Sequence, residues 1–209
     1  MLELTERDYQ LLKFLEKGFV ADINIINDIF FGSYKPCSRR ILKLYRHGLL
    51  NRGRKDSREV YLYYHNRFPE DPQHGLLRSK LFAQFATRKD IKIIDYYLKY
   101  DLGMIKPNIL LFIEIHQTIA AVLIDVKTRG AYHPKSLENV CANQQLWSRV
   151  IKKLRELKTI QNIYVVACAP KDTPTQNYDH YYINPSNLKE DFNQMMEDIQ
   201  SAFVPKEKV

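Results

Sequence analysis

The hydrophobic residues change their spacing along the chain, and the change divides the sequence into two regions. Before residue 64 the apolar positions recur at helical spacing in three segments, which two short β-like runs follow. From residue 91 onward they form continuous runs of strand length, separated by helical segments. The pattern predicts two domains, an α+β domain followed by an α/β domain with a mixed sheet.

The first region predicts three helices and a β-hairpin. Thr5 and Asp8 have the spacing of a capping box ahead of the first helix, and Asp22 can cap the second. Helix, helix, basic helix, hairpin is the order of a winged helix-turn-helix, predicted here over residues 1–64. The predicted helices cover residues 5–18, 22–32 and 36–48, and the predicted strands cover residues 49–54 and 59–64.

Basic residues concentrate on the third helix and the hairpin. Residues 35–58 hold nine Lys and Arg residues and one acidic residue, and the whole chain has a formal net charge of +8. A basic helix fits the major groove of duplex DNA, and a basic hairpin tip can contact phosphates, although a charge run can also be a solvated face. The residues predicted to contact DNA are Lys35, Ser38, Arg39, Arg40, Lys43 and Arg46 on the helix and Arg52, Arg54, Lys55 and Arg58 on the hairpin.

The second region begins after a segment of linker composition. Residues 65–75 contain two prolines, a glycine and polar side chains, so they predict a linker to a domain over residues 76–209. The order helix, three strands, helix, strand, helix predicts a βββαβ core with a mixed sheet. The predicted strands cover residues 91–98, 109–115, 119–126 and 162–169, and the predicted helices cover residues 76–87, 136–157 and 188–203.

A candidate metal site lies at one edge of this predicted sheet. Asp125 and Lys127 are two residues apart at the end of the third strand, so their side chains share one face. Asn108 immediately precedes the predicted strand over residues 109–115. Carboxylates can hold Mg²⁺ while a lysine orients the attacking water, although two such residues can also be a solvated strand end. The candidate catalytic residues are Asp125 and Lys127, the candidate metal ligands are Asn108 and Asp125, and the alternative carboxylates are Asp95 and Glu114.

The strand order and the sequence Asp125-Val126-Lys127 resemble the PD-(D/E)xK nuclease superfamily. The family's first aspartate, after the proline, is Asn108 in this chain, and an amide brings no charge to a metal. The resemblance therefore implies a nuclease-like domain that is catalytically degenerate.

Residues 5 to about 170 are also similar to the replication-relaxation family of plasmids and other mobile elements. This resemblance implies a winged helix joined to a nuclease-like scaffold, with DNA binding in plasmid replication or transfer. The segments that carry it are residues 23–50, His74-Gly75-Leu76-Leu77, Lys106-Pro107-Asn108 and Asp125.

Several classes of protein are disfavoured. No apolar run approaches the roughly 20 residues that span a bilayer, and the charged first residues lack a signal-peptide core, so we expect a cytoplasmic protein without a membrane partner. The three cysteines lack metal-ligand spacing. The absence of a GxxxxGK[ST] sequence disfavours a P-loop ATPase.

The sequence predicts a sequence-specific duplex-DNA-binding protein of a plasmid or other mobile element, acting in replication, its control or the assembly of a transfer complex. DNA binding would need no cofactor, and Mg²⁺ would be needed only if the nuclease-like site is active. We expect a homodimer, with a relaxase or a replication protein as a further partner. Two alternatives stay open: a Mg²⁺-dependent endonuclease targeted by its winged helix, and a transcriptional repressor with a sensing or dimerisation domain.

Overall fold

The chain forms two compact units, Met1–Thr87 and Arg88–Val209. The computed structural model describes residues 2–103, 106–129, 143–153, 160, 162–170 and 180–203. Each unit has its own buried apolar core, and the second contains a mixed five-stranded sheet. None of the helices in the described ranges is long and apolar enough to cross a lipid bilayer.

The first unit opens with three helices at the predicted places. Helix α1 (Glu6–Glu16) begins at the capping box, in which Thr5 and Asp8 each accept from the other's backbone N–H. Asp22 caps α2 (Ile23–Ile26) by accepting from the Ile25 N–H at 2.9 Å. A single π-helical segment, Asn27–Phe31, continues α2, and α3 covers Tyr34–Arg46.

An antiparallel hairpin follows α3, but its strands are shorter than predicted. Strand β1 is Asn51–Gly53 and β2 is Leu62–Tyr64, and Tyr63 also exchanges both backbone hydrogen bonds with Ala21. The residues between the strands leave the ladder because their polar side chains bond locally. Asp56 accepts from the Arg58 N–H at 2.9 Å and closes a turn there.

The helix predicted over residues 76–87 begins earlier, inside the predicted linker over residues 65–75, and belongs to the first unit instead of the second domain. Helix α4 covers Pro72–Ala86, and Asp71 caps it by accepting from the His74 N–H. The ring of Phe82 lies 5.5 Å from that of Phe14 and 4.8 Å from that of Phe19. Burial of this aromatic face explains why α4 joins the first unit.

The second unit contains a five-stranded sheet in the order β3-β4-β5-β6-β7. The first three strands are antiparallel, as consecutive strands joined by short connections can be, while β5, β6 and β7 run parallel. Strand β4 is almost wholly buried, as expected for a central strand. The strands are β3 (Lys92–Leu98), β4 (Ile109–Ile115), β5 (Thr118–Val126), β6 (Asn162–Cys168) and β7 (His180–Ile183).

Within the described part of the second unit, two α-helices accompany this sheet. Helix α5 (Gln144–Lys153) lies between β5 and β6 and buries Trp147 and Val150 in the core; the rest of the predicted helix over residues 136–157 lies outside the described residues. Helix α6 (Leu188–Phe203) ends the described chain. Its buried apolar face consists of Phe192, Met195, Met196 and Ile199.

Candidate nucleic-acid interface

Helix α3 has a buried apolar side and an exposed basic side. Cys37, Ile41 and Leu44 are buried in the first unit. On the other side four cations recur at intervals of one helical turn, and all four side chains are exposed. Over residues 2–87, none of these four cationic groups makes a hydrogen bond or ion pair. We call this set the basic stripe; it consists of Lys35, Arg39, Lys43 and Arg46.

The other two predicted helix contacts differ from each other. Ser38 is exposed beside the basic stripe. Arg40 instead reaches α1, where its Nε donates to Asp8 Oδ1 at 2.9 Å and its Nη2 donates to Asp8 Oδ2 at 2.5 Å. Its Nη2 also donates to the Glu3 carbonyl at 2.6 Å. The guanidinium of Arg40 is therefore engaged within the first unit and is not part of the basic stripe, and its predicted contact with DNA stays a prediction.

The ion pair between Arg40 and Asp8 shifts the pKa of both groups. Burial alone would raise the pKa of Asp8, but hydrogen bonds from Arg40 and Thr5 and the charge of Arg40 lower it below its ordinary value of 3.8. The hydrogen bond to Asp8 likewise raises the pKa of Arg40. Asp8 is fully buried, so the carboxylate needs these partners to stay ionised.

The hairpin arginines stack on tyrosines. The Cζ atom of Arg52 lies 4.4 Å from the ring centroid of Tyr45, on α3, and 4.7 Å from that of Tyr61. The Cζ atom of Arg54 lies 4.8 Å from the same Tyr61 ring. All three distances are within the roughly 6 Å at which cation–π attraction operates. We call the series Tyr45, Arg52, Tyr61 and Arg54 the tyrosine–arginine stack.

The hairpin tip presents further positive charge. Lys55 and Arg58 are exposed there, on either side of the turn that Asp56 closes. Arg54 Nη1 donates to the Ser57 carbonyl at 2.6 Å, so its side chain is held along the loop. The first unit thus combines an exposed basic helix face with a basic hairpin, and Arg52 of the hairpin contacts that helix through Tyr45.

The sequence analysis assigned no functional role to Tyr45 or Tyr61. The pairing of Gly53 with Leu62 places residues 54 and 61 opposite each other just beyond the ladder, a register that the predicted strand bounds did not give. The contact between Tyr45 and Arg52 is tertiary and left no local pattern.

The candidate metal site is brought together only in part. Asn108 Oδ1 accepts from the Val126 N–H at 2.6 Å, which places it at the end of β5. Lys127 Nζ lies 3.6 Å from Asp125 Oδ2, and its backbone N–H donates to the Cys168 carbonyl. All three predicted residues therefore lie at one sheet edge. The amide oxygen of Asn108 already serves the backbone, however, and Asp125 already has a cationic neighbour.

Neither alternative carboxylate lies at this edge. Glu114 is at the other end of β4 and pairs with Lys92 at 3.3 Å. Asp95 is opposite Phe112, and its Oδ1 accepts from the Tyr96 N–H at 2.7 Å. Within the described ranges, no three His, Cys, Asp or Glu side chains converge to hold a metal ion.

No protein-family model matches the chain, and neither a curated protein nor a solved structure shows significant similarity to it. A functional assignment therefore rests on this chain's own residues and their geometry. The basic stripe and the hairpin together give the first unit a positively charged surface. This surface is the feature from which we argue a function.

Proposed function

We propose that the first unit is a winged helix-turn-helix that binds duplex DNA. Helix α3 would enter the major groove with the basic stripe, and the β1–β2 hairpin would act as the wing against the phosphate backbone. The observation that carries the proposal is the basic stripe: four exposed cations lie on one face of a helix, while Asp8, an acid that contacts the same helix, is paired with Arg40. Positive charge displayed in this way favours an anionic partner of helical shape.

The biological setting in this proposal is a plasmid or other mobile element. The chain would recognise a DNA site in replication, its control or the assembly of a transfer complex, acting in the cytoplasm as a homodimer beside a relaxase or a replication protein. This setting is what the resemblance of the sequence to the replication-relaxation family implies. The nuclease-like second unit would serve as a scaffold, because Asn108 is engaged by the backbone of β5.

A Mg²⁺-dependent endonuclease is the second candidate, favoured by the convergence of Asn108, Asp125 and Lys127 at one sheet edge. Incubation of supercoiled plasmid with the full chain in Mg²⁺ and in Mn²⁺ tests whether the chain cleaves DNA. Our account predicts intact plasmid. Nicking that Asp125→Ala/Lys127→Ala abolishes would establish the enzyme instead.

A fluorescence-anisotropy titration of the full chain against a labelled mixed-sequence DNA duplex tests the proposal. Lys43→Ala/Arg46→Ala removes two charges from the basic stripe and should weaken binding by about tenfold or more. The control Lys13→Ala/Lys80→Ala removes two exposed charges from α1 and α4 and should change affinity little. Equal losses would mean that net charge alone drives binding, and no binding by the wild type would refute the DNA function.

A further inference from the structure

The tyrosine–arginine stack joins α3 to the hairpin at the point where backbone pairing stops. The last ladder pair is Gly53 with Leu62, so Arg54 and Tyr61 lie beyond it without backbone hydrogen bonds to hold them together. Opposite residues in an antiparallel pair share one face, and Arg52 is the diagonal neighbour of Tyr61 on that face. The side chains, and not the ladder, therefore fix this part of the hairpin against the helix.

Stacking determines which atoms of each arginine can bind a ligand. A guanidinium that lies over a ring keeps its N–H donors at the edge of its plane, in the fork that matches two phosphate oxygens. A side chain that is already held in place also loses less rotamer entropy when it binds. Arg54 is held a second time, through its Nη1 bond to the Ser57 carbonyl at 2.6 Å.

We infer that Tyr45 and Tyr61 are positioning residues that hold Arg52 and Arg54 for fork-shaped contacts to the phosphodiester backbone of duplex DNA. This inference rests on the proposed function and specifies how its wing binds. Both guanidinium groups lie over the Tyr61 ring, so that ring is already occupied as a stacking surface. The chemistry favours backbone phosphate as the ligand over the unpaired base that an open aromatic ring would take.

The test is anisotropy with a labelled mixed-sequence duplex, repeated between about 50 and 200 mM salt. Tyr61→Leu should weaken binding about 5- to 10-fold without changing the slope of affinity against salt, because no charge is removed. Tyr61→Phe keeps the ring and should bind as the wild type does. Arg52→Lys keeps the charge but loses the planar fork, so it should also weaken binding at an unchanged slope.

A double-mutant cycle separates positioning from general structural support. Arg52→Ala/Arg54→Ala should lower the salt slope by about 2, one unit for each lost phosphate contact. Added to that variant, Tyr61→Leu should have no further effect, since its arginine partners are gone.

The outcomes distinguish this inference from the function on which it rests. Absence of duplex binding by the wild type would refute the proposed function and the inference together. Normal wild-type binding with an unaffected Tyr61→Leu and Arg52→Lys would overturn the inference alone. An equal effect of Tyr61→Leu with and without the two arginines, or an effect confined to a single-stranded probe, would overturn it as well.

Discussion

Arg40 of α3 and Asp8 of α1 form a two-point ion pair, with Arg40 Nε 2.9 Å from Asp8 Oδ1 and Arg40 Nη2 2.5 Å from Asp8 Oδ2. Asp8 is simultaneously part of the capping box of α1 through Thr5. One carboxylate therefore begins the first helix and holds the third helix against it. The orientation of the basic stripe depends on this pair, although Arg40 itself is not part of the stripe.

Substitutions of two neighbouring arginines should therefore affect different properties, stability in the case of Arg40 and DNA binding in the case of Arg39. Arg40→Leu leaves the buried Asp8 carboxylate without its cation and should lower the free energy of unfolding by about 3 kcal/mol. Arg39→Ala removes an exposed side chain, so stability should change by no more than about 0.5 kcal/mol while duplex binding weakens about tenfold. Urea unfolding and anisotropy on both variants measure the two effects. A stable Arg40→Leu that binds DNA poorly would mean that Arg40 contacts DNA.

The ion pair between Asp8 and Arg40 predicts that the free energy of unfolding depends on pH. The folded pKa of Asp8 lies below its ordinary value of 3.8, so its contribution is complete above that pH and is lost as the pH falls through the lower folded value. Arg40→Leu removes the hydrogen bond and the charge of Arg40 that lower the pKa of Asp8, so the loss of stability in acid should be smaller. Urea unfolding as a function of pH should show the stability gap between wild type and variant narrowing below about pH 4. A gap of constant size would show that the two groups are not coupled.

Gly53 in β1 lies against the ring of Phe68. A Cβ atom at position 53 would stand 2.9 Å from Phe68 Cδ2 and 3.1 Å from Cε2, and the Phe68 ring packs edge-on against Tyr64 at 5.6 Å. We expect Gly53→Ala to destabilise the first unit by about 1–2 kcal/mol through overpacking. Thermal unfolding followed by circular dichroism measures this. Combining Gly53→Ala with Phe68→Leu should recover part of the loss, and no recovery would show that the strain lies elsewhere.

Asn108 has a structural task that can be separated from metal binding. Its Oδ1 accepts from the Val126 N–H at 2.6 Å, so Asn108→Ala should destabilise the second unit by about 1–2 kcal/mol, whereas Asn108→Asp keeps the acceptor and should cost less. Trp147 is the only tryptophan and is buried in the second unit, so its fluorescence reports on that unit during urea unfolding. Equal stability of wild type and Asn108→Ala would remove the structural role.

Much of the fold could be predicted because local signals and tertiary packing agree. The capping residues Thr5 and Asp22 begin the helices that they predicted, and the run at residues 109–115 is β4 without change. Strand β7 was not predicted, because four residues carry too little pattern and their pairing with β6 is tertiary. The assignment of α4 failed for a related reason: composition marks a linker but does not show which core a helix packs against.

The candidate site shows the same limit. A count of the basic residues on α3 does not distinguish a cation on the exposed face from one at the edge of the buried face. Arg40 lies three residues after Cys37 and four before Leu44, both buried, so helical periodicity could have separated it from the stripe. Its partner Asp8 is 32 residues away in sequence, and a local sequence pattern cannot indicate so distant a partner.

Selection of DNA sites from a library of randomised duplexes tests the central claim most directly, that α3 recognises duplex DNA through the basic stripe. Wild-type protein should enrich a defined motif, and Lys43→Ala/Arg46→Ala should lose it. Arg52→Ala/Arg54→Ala should keep the same motif at lower affinity, since backbone contacts carry little sequence information. Absence of any enriched motif, or the same motif from the α3 variant, would contradict the account.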